Sequence, residues 1–158
     1  MRDLKIKTRS ATLHDKAFIL SLIPRLVEFG PPSWRDASNM IEVDNNVLTE
    51  KLNNPSNEAV IIIAEDDQDN PLGFIHVHSG NDYYNKEPHG HIGDIIVAPE
   101  GEGRGIGRIL IEKAEEWARS QGFRWLTLTV FTQNQKAREV YKHLGFGEDV
   151  IKCVKLLD

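Results

Sequence analysis

The chain has 158 residues, 40% apolar and 27% charged, which is enough to bury a core and reads as one domain spanning residues 1–158. A formal net charge of −5 excludes a general nucleic-acid binder, which needs a basic stripe, but leaves room for a local anion pocket. The lone Cys153 excludes a disulfide framework and a cysteine zinc cluster, and neither MRDLKIKTRS at the start nor AVIIIA at 59–64 suits a signal peptide or a membrane span, so a cytoplasmic protein is expected.

Residues 4–9, LKIKTR, alternate apolar and basic side chains as a half-buried strand does. Thr12 can cap a helix running to about Phe29, with Leu13, Phe18, Leu22, Leu26 and Phe29 on its apolar stripe, until Gly30-Pro31-Pro32 stops it. A second helix is expected from about Asp36 to Leu52. The continuous apolar run at 58–65 predicts a strand buried on both faces, and DDQDNP turns it into a second strand, LGFIHVHS. The loop GNDYYNKEPHG leads to the strand HIGDIIVA. Residues 106–120 form an amphipathic helix with Ile106, Leu110, Ala114, Trp117 and Ala118 on one face. Gly122 ends it, FRWLTLTVF alternates as a strand, and a shorter helix from Asn134 to Leu144 turns Ala137, Val140, Tyr141 and Leu144 inward. A last strand is expected over 149–157. Short turns between the middle strands imply an antiparallel meander, and the later strand-helix-strand units imply parallel pairing. The fold class is therefore α/β, a mixed sheet with helices on both faces.

Between HIGDIIVA and the 106–120 helix stands VAPEGEGRGIG, with glycine at 101, 103, 105 and 107. It fits neither G-x-G-x-x-G nor G-x-x-x-x-G-K-[ST]. What remains is a glycine-rich loop entering a helix N-terminus, where unpaired N–H groups and the helix dipole favour an anion. Arg104 and Arg108 add positive charge on the same element; a plain surface turn is the alternative.

VAPEGEGRGIGRIL, followed by NQKAREVYKHLGF, resembles the paired motifs of the GNAT superfamily of acyl-CoA-dependent N-acetyltransferases. A V-x-P segment precedes [QR]-x-x-G-x-[GA] in that family, and Asn134, Ala137, Tyr141 and Gly145-Phe146 stand at its downstream spacing. The likeness is strongest over residues 88–147. It implies a mostly antiparallel sheet with one parallel, splayed strand pair, and acetyl-CoA as co-substrate bound at the splay. One position departs: Glu102 occupies the place of the usual Gln or Arg.

The resemblance implies an enzyme that moves an acetyl group from acetyl-CoA to a primary amine by direct attack. Gly103, Arg104, Gly105, Ile106, Gly107 and Arg108 then face the diphosphate, while Ile95, Ile96 and Val97 offer backbone to the pantetheine and thioester. Asn134 and Ala137 line the cofactor's path. Tyr141 matches the general acid for the departing thiolate, with a core tyrosine as the other reading. His91 is the candidate base, with a packed or loop-end histidine as the other reading; Gly93 holds the other usual position and cannot serve, and Asp94 falls on the opposite face by strand alternation. His76, His78, His89 and His91 form two H-x-H pairs, a pattern that metal sites use, but no acidic residue has ligand spacing beside them and no metal is expected. Asp36, Asp82 and Glu87 are candidates to attract a cationic amine. The implied partners are acetyl-CoA and an amine, without nucleic acid or membrane, and homodimers occur among such proteins. A non-catalytic acyl-CoA-binding module is the rival reading, motivated by Glu102.

Overall fold

The computed structural model describes residues 5–158. Leu4, placed in the first predicted strand, lies outside them; β1 spans Lys7–Ser10. Thr12 opens the next segment with a capping box: its hydroxyl accepts from the His14 N–H at 3.3 Å, and the Asp15 carboxylate accepts from the Thr12 N–H at 2.8 Å. Arg9 grips the buried Asp15 with two bonds of 2.8 Å and also reaches Glu65.

The predicted helix to Phe29 is broken into a 3₁₀ turn at Leu13–Asp15, α1 at Lys16–Leu22 and a second 3₁₀ turn at Ile23–Val27. Pro24 accounts for the break after Leu22, because it lacks an N–H and its ring crowds the preceding turn. The buried stripe consequently runs through Ile19, Leu22 and Ile23, while Leu13 is exposed. Helix α2 spans Ala37–Asn53, with the Asp36 carboxylate accepting from the Ser38 N–H as its N-cap.

Strands β2 (Ala59–Glu65), β3 (Pro71–Asn81) and β4 (Pro88–Val97) continue an antiparallel meander from β1, and β5 (Leu126–Leu128) joins β4 in parallel. The order is β1-β2-β3-β4-β5 in one five-stranded sheet. Alternation divides β2 between two cores. Ile61 and Ile63 pack with Phe74 and Ile96 against α1 and α2, whereas Ile62 and Ala64 pack with Ile75 and Val77 against α3 (Ile106–Ser120). Helices thus cover both faces, as expected. Helix α4 spans Gln135–His143.

Two strand expectations are corrected. Of FRWLTLTVF only Leu126–Leu128 is strand, because pairing with β4 ends at Ile92–Leu128 and the chains then part. Residues 149–157 form no strand; Val150, Ile151, Leu156 and Leu157 are exposed. The segment has strand-like alternation, but no neighbour among the described residues receives its backbone groups, and alternation without a partner leaves a strand unformed.

A third correction concerns β4. Its register against β3 pairs His76 with Asp94 and Val77 with Ile92, leaving Gly93 as a bulge. The extra residue reverses the alternation, so Asp94 lies on the same face as His91, not the opposite one. A Cβ at Gly93 would meet the His76 ring nitrogen at 2.9 Å, so only glycine fits this bulge without movement.

Candidate active site

The glycines of the loop serve different ends. Gly101 is buried at the end of a 3₁₀ turn (Pro99–Gly101), where a Cβ would press on Ile106 at 2.8 Å and on the Leu72 carbonyl at 3.0 Å. Gly103 and Gly105 adopt left-handed φ of 73° and 74°. Gly107 has open space above it. The Ile109 N–H donates to the Gly105 carbonyl at 3.1 Å, so those of Ile106, Gly107 and Arg108 precede the helical ladder and are free for a ligand.

Above this loop lies a cavity of about 750 Å³, lined by Gly103, Gly105, Ile106, Gly107 and Arg108, with Lys136 across from them on α4. Arg104 does not line it. Its charge is felt instead by Asp66, whose carboxyl is held below the ordinary range chiefly by Asn70. A second cavity of about 310 Å³ runs between Ile95, Ile96 and Val97 of β4 and Asn134, Ala137 and Tyr141 of α4. Asn134 caps α4, accepting the Ala137 N–H at 3.2 Å. Val140, expected in the core, is half-exposed and lines both cavities. Glu102 also lines both, and its carboxylate pairs with Arg25 from the turn after α1. The pair sets the Arg25 guanidinium against the charge that motivated the non-catalytic reading and offsets it in part.

His91 and Tyr141 meet in a third cavity, of about 330 Å³, where β4 and β5 part. Burial raises the Tyr141 phenol above its ordinary value, so it stays protonated at neutral pH. Burial also lowers His91, and the neighbouring His78, His89 and His76 push the same way; neutral imidazole therefore predominates at neutral pH. The His91 Nδ1 lies 2.8 Å from the Thr127 hydroxyl, which in turn lies 3.4 Å from the Gly90 carbonyl. Since that carbonyl only accepts, the hydroxyl donates to it and accepts from the His91 Nδ1–H, leaving Nε2 with its lone pair.

The acidic candidates for amine attraction are otherwise engaged: Asp36 caps α2, Asp82 accepts from the Tyr84 and Asn85 N–H groups, and Glu87 pairs with Arg124. Among the described residues no group of three or more histidine, cysteine or acidic side chains is placed to hold a metal ion. Arg25 and Thr127 escaped sequence reasoning, because nothing local marks a residue whose partner is distant in the chain. The Gly93 bulge had a signal, an isolated glycine inside a strand pattern.

No helix among the described residues is long and apolar enough to cross a membrane. The model of the acetyltransferase (GNAT) family matches residues 23–146. An N-acetyltransferase of Bacillus subtilis, YhfO, itself uncharacterized, is 30% identical over 141 residues, 89% of each chain. Another, from Methanocaldococcus jannaschii, is 48% identical over 62 residues, 39% of this chain but only 27% of its own length. The structure of AAC(6')-Iy in complex with a CoA bisubstrate analogue superposes with a TM-score of 0.70 at 23% identity, over 97% of this chain and 99% of that one. The chain belongs to the acetyltransferase (GNAT) family, acyltransferases that use acetyl-CoA as co-substrate.

Proposed function

We propose that the protein transfers an acetyl group from acetyl-CoA to a primary amine by direct attack, with His91 as base and Tyr141 as acid. The carrying observation is that His91 from β4 and Tyr141 from α4 wall one cavity where β4 and β5 separate. A neutral imidazole and a protonated phenol are the states those two roles require at neutral pH.

The loop suits a diphosphate: a Cβ at Gly103, Gly105 or Gly107 would meet nothing within 4 Å, so the backbone is open to close approach. In this reading the Gly103–Arg108 backbone and the Arg108 side chain hold the diphosphate, and Arg104 contributes less than its position in the motif suggests. Ile95, Ile96 and Val97, beyond the end of β5 pairing, offer backbone to the pantetheine beside Asn134 and Ala137. When bound, acetyl-CoA supplies an acetyl group activated as a thioester. His91 takes a proton from the acceptor ammonium so that nitrogen has a lone pair to attack with, and Tyr141 hands its proton to the departing sulfur.

The proposed acceptor is a primary amine, and the free, exposed Cys153 fits a reducing, cytoplasmic setting. The test is release of free CoA thiol from acetyl-CoA across a panel of amino acids, polyamines, aminoglycosides and lysine peptides. Turnover with at least one class is expected. Tight calorimetric CoA binding with no turnover on any amine contradicts the reading.

A further inference from the structure

His91 is the first member of a row of imidazoles crossing from β4 to β3. The His91 and His78 rings are 5.3 Å apart between centroids, and His78 and His76 are 5.4 Å apart. The row ends where His76 Nδ1 meets Asp94 Oδ2 at 3.3 Å, both residues being buried. Each Nδ1 is engaged: His91 with Thr127, His78 with the Ser79 carbonyl at 2.9 Å, and His76 with Asp94. Carbonyl and carboxylate oxygens only accept, so the free lone pairs of His78 and His76 are on Nε2, and that of His76 is buried without a protein partner. Three proton acceptors in a row, closed by one buried carboxylate, exceed what a single base needs.

We propose that His91, His78, His76 and Asp94 form one proton-accepting array, in which the positive charge taken up at His91 is set against the Asp94 carboxylate and the neighbouring rings exclude a second proton. This rests on the reading of His91 as base. In the step itself one N–H bond of the acceptor ammonium breaks, its electron pair stays on nitrogen, and the proton bonds to His91 Nε2. Over the whole reaction the carbonyl carbon–nitrogen bond forms, the carbon–sulfur bond breaks, and the nitrogen loses two protons: the second restores the Tyr141 phenol that has protonated the CoA sulfur, and the first, taken by His91, passes to solvent. The array holds that proton until it departs. Like charges at this ring spacing repel, so a positive charge on a neighbouring ring opposes one on His91. His78 and Asp94 are positioning residues here: they act on the amine through His91.

The groups around His91 are His78 and His76 on β3, His89 and Asp94 on β4, and Tyr141, Arg138 and Lys142 on α4, with Glu148 and Asp149 lining the same cavity and Asp44 of α2 close enough to Asp94 to feel its charge. Asp94 favours a proton on His91, and the three other histidines oppose it. Removing one or the other must therefore move His91 in opposite directions.

The experiment is an NMR titration of the histidine ring protons in the full chain, in the wild type and in Asp94→Asn and His78→Gln, with no ligand added. The expected result is a His91 midpoint that moves to lower pH in Asp94→Asn and to higher pH in His78→Gln. Wild-type rings should follow coupled, stepwise curves. If both variants leave the His91 midpoint in place, the array is overturned whatever the activity. Should Asp94→Asn fail to fold, the wild-type curves decide alone: three independent, uncoupled titrations overturn it. His91→Gln retaining wild-type kcat on a panel amine, with the midpoint shifts present, instead rejects the base reading and with it the catalytic use of the array.

Discussion

The Glu102 carboxylate, in the loop that enters α3, pairs with the Arg25 guanidinium from the turn after α1, and Glu102 lines both cavities proposed for the cofactor. The first helical layer is thereby tied to the proposed phosphate loop. Glu102 is also a negative charge beside the helix N-terminus proposed to hold the diphosphate, only partly cancelled by Arg25. Glu102→Gln keeps an acceptor for Arg25 and removes that charge. It should tighten CoA binding about threefold at low salt, with the gain shrinking as salt is added. Calorimetry at two ionic strengths checks this, and weaker binding would show that the carboxylate's hold on Arg25 matters more than its charge.

The loop glycines separate stability from binding. Gly101→Ala should destabilise the fold by about 1–3 kcal/mol, since the new methyl meets Ile106 at 2.8 Å and the Leu72 carbonyl at 3.0 Å. Gly105→Ala should cost about 1 kcal/mol through its left-handed backbone alone. Gly107→Ala meets nothing and has no such φ, so stability should stay within about 0.5 kcal/mol. Its methyl would nevertheless stand at the cradle and weaken CoA binding by about tenfold, the worth of one lost hydrogen bond. Thermal unfolding and CoA calorimetry on the same three proteins test the ordering.

Asp44 on α2 is raised to about 6 by burial, with Asp94 adding repulsion. The folded state therefore holds a proton that the unfolded state releases near the ordinary 3.8. The resulting stabilisation is present below that value and is lost as pH rises through about 6. Asp44→Asn should thus stabilise the protein by about 1 kcal/mol at pH 7, a figure discounted for a half-exposed, screened carboxylate, and by less at pH 4. Melting at both pH values would reveal the difference; an equal change at both would point to packing instead of charge.

The sequence exposes periodicity and local capping well, and long-range relations poorly. Helix α3 is legible to the residue, because Ile106, Leu110, Ala114 and Ala118 mark one face and all four are buried. Helix α2 is legible in its extent, expected from about Asp36 to Leu52 and observed at Ala37–Asn53, whereas the role of Asp36 as its cap is not. The break at Pro24 is visible in sequence, yet the amphipathic pattern runs through it and suggests one helix. The 149–157 strand fails for a different reason: its alternation is real, but a strand exists only where a partner does. At the site, the separate motifs carrying His91 and Tyr141 foretell residues that share a cavity, whereas Asp94 is misread because one bulged glycine reverses the face of everything after it. Arg25, Thr127 and Asp44 act through partners on other elements, so no local pattern marks them.

The most direct test of the proposed chemistry is kcat for His91→Gln and Tyr141→Phe in the CoA-thiol assay, on whichever panel amine the wild type acetylates, beside calorimetric CoA binding. A base and an acid that act on protons in the reaction predict a fall in kcat of about a hundredfold or more for each, with CoA affinity unchanged. Wild-type kcat in either variant, or a loss of CoA binding that accounts for the whole fall, would contradict the account.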